Sequence, residues 1–137
     1  MELEAGLAAT VEQTVAPAMT AEALGSGDVP VLGTPAVLAL AERAAVQAVA
    51  GRMEAGQTSV GSWVELSHLA PTPVGATVTA TARLVKVRGR DLTFEVSVHD
   101  RTGEVARVRH RRVLVRRDQF TKSAQARAGS DGGPPEL

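Results

Sequence analysis

The segment TPAVLALAERAAVQAVAG (34–51), followed after a short turn by TSVGSWVELSHL (58–69), decides the fold. The first part reads as a helix. Thr34 offers a side-chain acceptor for an early backbone N–H. Pro35, at the first helical position, lacks a donor that would go unpaired there anyway. Ala-rich sequence runs to Ala50, and Gly51 is the expected C-terminal stop. Leu38, Ala41, Ala45, Ala48 and Val49 recur at spacings of three and four and form one apolar face. Alanines in such number let a helix lie close to its neighbour. The second part alternates with a period of two. Val60, Ser62, Val64, Leu66 and His68 fall on one face; Gly61, Trp63, Glu65, Ser67 and Leu69 fall on the other. Pro71 and Pro73 end this strand, because neither can donate to a ladder.

Working outward, residues 7–15 alternate weakly and predict a first strand. Residues 16–33 carry Pro17, Gly25, Gly27, Pro30 and Gly33, which predicts a loop with one helical turn near Thr20–Leu24. Residues 76–87, 91–99 and 104–116 read as three more strands, with Leu92, Phe94, Val96 and Val98 on one face of the second. Arg88-Gly89-Arg90 and Asp100-Arg101-Thr102-Gly103 supply hairpin turns. The order is strand, helix, then four antiparallel strands. One amphipathic helix cannot cover both faces of five strands. A sheet that wraps around the helix and joins a second copy edge to edge meets the demand. The expected fold is therefore α+β, a dimeric hot-dog fold: an antiparallel five-stranded sheet around one central helix, β-α-β-β-β-β. The domain is expected over 1–122. Residues 123–137, SAQARAGSDGGPPEL, lack periodicity and read as a disordered tail.

Composition narrows the chemistry. A chain of 137 residues fits one domain with a modest core. Its aromatic side chains are Trp63, Phe94 and Phe120 alone, so the core is expected to consist of Val, Leu and Ala. There is no cysteine, which excludes disulfides, thiolate zinc sites and cysteine nucleophiles, and is compatible with a cytoplasmic location. No basic segment followed by an apolar run opens the chain, so no signal peptide is expected. No apolar stretch reaches membrane-spanning length. The net charge of zero is unevenly laid out: residues 1–65 hold eight acids and two bases, residues 66–137 seven acids and thirteen bases. The arginines between Arg107 and Arg117 read either as a solvated strand face or as an anion site. Nucleic-acid binding is not expected, because stacking aromatics are missing. The sequence has no GxSxG elbow, P-loop, GxGxxG or clustered metal ligands.

Two residues break the pattern. Glu42 lies four after Leu38 and three before Ala45, on or beside the apolar stripe. A carboxylate there is paired, partly wet or protonated, unless the helix is rotated to aim it at solvent. His68 ends an otherwise small or apolar face just before the proline loop, as a structural residue or a catalyst. His99 and His110 have no comparable context and read as structural or surface residues. Thr34 stands at a helix N-terminus, where free N–H groups and the dipole favour a developing oxyanion. A threonine, a carboxylate and a histidine near one such pocket suit activation of water against a thioester.

LGTPAVLALAERAA (32–45) and SVGSWVELSHLAPTPVGATVTATARLVKVRGRDLTFEVSVHD (59–100) resemble the fluoroacetyl-CoA thioesterase group of hot-dog proteins, over about residues 7–120. The resemblance implies that Thr34, Glu42 and His68 form the catalytic set, that the Gly61 backbone N–H helps place the thioester carbonyl, and that the active site lies near a homodimer interface. It implies an acyl-CoA substrate, with CoA entering as part of that substrate and no separate cofactor or metal. The family's phenylalanines before the catalytic threonine have no counterpart in GSGDVPVLG (25–33), which points to a broader or different short acyl-CoA preference. Arg109, Arg111 and Arg112 are candidate contacts for the CoA phosphates. The expected function is hydrolysis of a short acyl-CoA. A hot-dog module that binds acyl-CoA or another small hydrophobic ligand without hydrolysing it is the alternative.

Overall fold

A computed structural model describes residues 2–129. Five strands, β1 (Ala8–Thr14), β2 (Gln57–His68), β3 (Thr77–Arg88), β4 (Asp91–Asp100) and β5 (Gly103–Arg116), form one antiparallel sheet in the order β1-β3-β4-β5-β2. A 3-10 turn (Pro17–Met19) and a short helix α1 (Ala21–Leu24) precede the central helix α2 (Thr34–Ala48), and α3 (Arg117–Gly129) follows the sheet. Hot-dog geometry, one helix inside a curled five-stranded sheet, is what the element order predicts. β2 forms one border of the sheet and pairs with β5 alone.

The core follows the two periodicities. Val78, Ala80, Ala82 and Leu84 of β3 and Leu92, Phe94, Val96 and Val98 of β4 are buried and face α2. Alternation brings Val108, His110, Arg112 and Leu114 of β5 to the same inner face. On α2 the buried stripe is Val37, Leu40, Ala41, Ala44, Ala45 and Ala48. It is rotated from the expected one: Leu38 is half-buried, and Glu42 flanks the stripe. Val37 and Leu40 go inward because they reach past the alanines to fill the space under the sheet. The helix stops at Ala48 instead of Ala50, and Gly51 follows with φ +77°, a left-handed conformation suited to glycine. Gly33, not Thr34, is the N-cap, and its lack of a side chain leaves no cap hydrogen bond.

β2 departs from strict alternation. Its register on β5 shifts between Gly61 and Trp63, which leaves Ser62 as the extra residue of a β-bulge. Gly61 pairs with Arg112 and His68 with Ala106, both buried positions of β5. Residues paired across an antiparallel ladder share a face. The bulge therefore resets the parity and puts Gly61, Val64, Leu66 and His68 on the helix side, correcting the expectation that Gly61 and His68 face opposite ways. The outer face carries a cross-strand row in which Arg83 pairs with Glu95, Glu95 with Arg109, and Arg109 with Glu65. This charge alternation is that of a solvated surface.

The expected disorder over 123–137 is corrected for residues 123–129, which continue α3. Ala124, Gln125, Ala126, Arg127 and Ala128 are good helix formers. None of the α3 residues is buried, so local propensity rather than packing accounts for this helix. Residues 130–137 lie outside the described residues.

Candidate active site

Thr34 opens α2 and His68 closes β2. Thr34 Oγ1 and His68 Nδ1 share a hydrogen bond of 2.8 Å. The threonine hydroxyl, freed from capping by Gly33, points across to the strand. The second ring nitrogen of His68, Nε2, is buried and has no hydrogen-bond partner among the described residues. A histidine kept only for structure satisfies both nitrogens; an orphaned one calls for another explanation.

Glu42 belongs to a different cluster. Eight residues separate it from Thr34, about 12 Å along the helix at 1.5 Å per residue. Its Oε2 accepts a hydrogen bond from Arg112 Nη1 at 3.2 Å and lies 3.7 Å from His110 Nε2. The buried Arg112 guanidinium also donates from Nε to Ser59 Oγ at 2.9 Å, from Nη2 to the Ser59 carbonyl at 3.0 Å, and from Nη1 to His110 Nε2 at 3.0 Å. An arginine always donates, so His110 Nε2 accepts, and Nδ1–H donates to the Trp63 carbonyl at 3.0 Å. The network thus assigns one tautomer of a neutral imidazole. Burial, reinforced by the Arg112 charge, pushes the His110 pKa below its ordinary value. Its short distance to Glu42 is therefore not an ion pair. Burial likewise lowers Arg112, and the Glu42 charge works against that shift.

Gly61 lies directly beneath the carboxylate. A Cβ at this position would come within 2.6 Å of Glu42 Oε2 and 3.2 Å of His110 Cε1, so a side chain here displaces one of them. Leu38, Glu42, Gly61, Trp63, Val64 and His110 line an open pocket of about 310 Å³. A carboxylate held at the wall of such a pocket can orient water or stabilise a developing positive charge.

Within one chain, then, Thr34 meets His68, and Glu42 meets Gly61; no hydrogen bond joins the two clusters among the described residues. A threonine, an acid and an imidazole are expected near one pocket beside the start of α2; within one chain the Thr34–His68 pair and Glu42 stand in separate clusters. The arginine triplet is also split. Arg112 turns inward and is engaged by Glu42, which removes it from the phosphate contacts. Arg109 and Arg111, of opposite parity, point to the outer face. His110 is buried beside Glu42 rather than idle. Its signal was present in the sequence: His110 and Arg112 share the inward parity of Val108 and Leu114, where polar residues need a partner, and Glu42 is the matching defect on the helix.

A curled antiparallel sheet around one helix, with polar residues gathered along the border strand, defines a hot-dog protein. The chain belongs to the fluoroacetyl-CoA-specific thioesterase (FlK) family, whose model matches residues 15–118. It is 39% identical over 90 residues to the fluoroacetyl-CoA thioesterase of Streptantibioticus cattleyicolor, a match covering 66% of this chain and 65% of that protein. The solved structure of a threonine-to-serine FlK variant in complex with acetyl-CoA superposes with a TM-score of 0.86 at 30% identity, covering 91% of this chain and 98% of that one. A Thermus thermophilus hypothetical protein, a thioesterase superfamily member, superposes with a TM-score of 0.81 at 27% identity over 89% of this chain and 90% of that one.

Proposed function

We propose that this protein hydrolyses a short acyl-CoA to the free acid and CoA, at a site built by two copies that meet along β2. The observation that carries the reading is the Thr34–His68 hydrogen bond at the N-terminus of α2, with the other nitrogen of His68 left unpaired. A hydroxyl within hydrogen-bond reach of an imidazole is the arrangement of an activated nucleophile. In the proposed reaction Thr34 Oγ1 attacks the thioester carbonyl while His68 takes its proton. The C–S bond breaks and the CoA thiolate leaves with that proton. Water then gives its hydroxyl to the acyl carbon and a proton to His68, and His68 returns the proton to the threonine oxygen. The positive end of the α2 dipole favours the developing oxyanion.

Glu42 enters from the second copy. β2 borders the sheet, and the side chains of Trp63 and Val64 are 41% and 39% exposed. An exposed border strand of this kind invites pairing with another chain. Gly61 and His68 lie seven positions apart on β2. A two-fold axis passing between them carries the partner subunit's Gly61, and the Glu42 above it, toward His68. The lack of aromatics over 25–33 favours a broader or different short acyl group. No helix among the described residues is long and apolar enough to cross a membrane, and the reading places the protein in the cytoplasm without a cofactor.

The test is an assay of the purified protein with acetyl- to hexanoyl-CoA and a thiol reagent. His68→Ala is expected to lose at least ~100-fold in rate by removing the proton carrier, and Glu42→Gln at least ~100-fold by removing the carboxylate that orients the attacking water. Unchanged rates in both contradict the site. Tight binding of CoA esters with no thiol release replaces hydrolysis by ligand binding.

A further inference from the structure

Thr72 is fully buried in the loop that leaves β2, four residues after His68. It carries the only polar side chain of residues 69–76, and its neighbours Pro71 and Pro73 have no N–H to donate. The Thr72 hydroxyl donates to Oδ2 of Asp100, the last residue of β4, at 2.9 Å. The other oxygen of that carboxylate, Oδ1, accepts from the Thr102 hydroxyl at 2.7 Å and from the Thr102 backbone N–H at 2.9 Å. These donors, the Thr102 hydroxyl foremost, hold the Asp100 carboxyl below the usual carboxylate range. Asp100 is thus an acceptor anchored in the β4–β5 turn. The Thr72 carbonyl in turn accepts from the Leu32 N–H at 2.8 Å, and Val31 bridges to Pro73. Leu32 lies two residues before Thr34. Nearer to His68, Leu69 and Ala70 both donate to the Val105 carbonyl of β5, at 2.7 and 3.3 Å.

We infer that Thr72 and Asp100 are positioning residues for the hydrolysis: they brace the loop that follows His68 against the segment that precedes Thr34, and so set the distance between hydroxyl and imidazole. The inference rests on the hydrolase reading and deepens it. Neither residue touches the proposed reacting atoms; both act through Thr34 and His68. Those two side chains come from distant parts of the chain, so their 2.8 Å contact depends on how the two segments are held together. The carboxylate fixes the Thr72 side chain, and the Thr72 backbone fixes Leu32. Without the hydroxyl the loop keeps its backbone contacts and apolar packing, which resist sliding less than a directional bond to an anchored carboxylate. A misplacement of about 1 Å at a reacting pair can cost ~100-fold in rate.

Thr72→Val keeps the shape of the buried side chain and removes the donor; Thr72→Ser keeps the donor. In steady-state assays of the full chain, Thr72→Val is expected to lower kcat at least ~10-fold with KM within ~2-fold of the parent, and Thr72→Ser to retain most of kcat. A second readout needs no turnover. The NMR resonance of the His68 Nδ1 nitrogen, assigned by its absence in His68→Ala, is compared with that in Thr34→Val, where the hydroxyl partner is gone. Thr72→Val is expected to move this resonance toward its Thr34→Val position, and Thr72→Ser to leave it in place. Asp100→Ala breaks the same bond from the half-buried turn, leaves the packed threonine intact, and is expected to give the same shift. A parent-like His68 resonance in either hydroxyl-uncoupled variant overturns the inference, as does an unchanged kcat in Thr72→Val or a kcat loss that Thr72→Ser shares. A shifted resonance in a protein that releases no thiol supports the brace and removes only the hydrolase reading.

Discussion

The hydroxyl of Thr34 lies 2.8 Å from Nδ1 of His68, and this contact ties the first residue of the central helix to the last residue of the border strand. Thr34 is exposed and makes no cap, so its hydroxyl has little to do for stability. Thr34→Ser keeps the hydroxyl and is expected to retain activity. Thr34→Val is expected to lose at least ~100-fold in kcat/KM, while its unfolding free energy stays within ~0.5 kcal/mol of the parent. Thiol-release kinetics together with a denaturant titration check both halves.

Gly61→Ala is expected to act through Glu42. The backbone of Gly61 does not have positive φ, so the cost is contact rather than strain. A methyl group within 2.6 Å of Oε2 pushes the carboxylate off its Arg112 bond. Overpacking of this order costs ~1–3 kcal/mol. Thermal unfolding checks the stability loss, and the assay is expected to show a fall in kcat larger than any change in KM.

His110 sets the response to mild acid. Its folded pKa is depressed, chiefly by burial, from an ordinary value of 6.5. As pH falls through 6.5 the unfolded chain takes up the proton first, so the unfolded state is favoured and stability is lost. The midpoint of thermal unfolding is expected to drop as pH is lowered just below 6.5. His110→Gln, less stable throughout, is expected to lose that slope. A parallel slope in both proteins assigns it to another group.

Much of the fold was legible because period and punctuation carry it. Thr34-Pro35 and Gly51 bracket the helix, the alternation of Leu92 to Val98 marks a half-buried strand, and the Gly89 and Gly103 turns fix the meander. The bulge at Ser62 was not legible. It comes from how β2 registers on β5, a tertiary relation with no local marker in SVGSWV. Missing it put Gly61 on the wrong face. The helix rotation was missed for a related reason: Val37 and Leu38 are both apolar, and only the shape of the sheet chooses between them. Thr34, Glu42 and His68 stood out as misfits in their patterns, yet their distances from one another depend on the fold, and within one chain only two of them meet. His110 was overlooked because its partner, Glu42, lies 68 positions earlier.

Removal of residues 123–137 is expected to leave the domain intact. The helix through 123–129 buries nothing, so its loss is expected to change stability by less than ~0.5 kcal/mol. Chemical denaturation of the truncated and full chains, compared at equal protein concentration, checks this.

The most direct measurement of the shared site mixes two inactive proteins. Glu42→Gln and His68→Ala chains are denatured together, refolded, and assayed for acyl-CoA hydrolysis. If one chain supplies His68 and the other Glu42, each mixed dimer holds one intact site, and roughly a quarter of the parent activity returns from random pairing. Activity no higher than that of either variant alone would contradict a site shared between two copies.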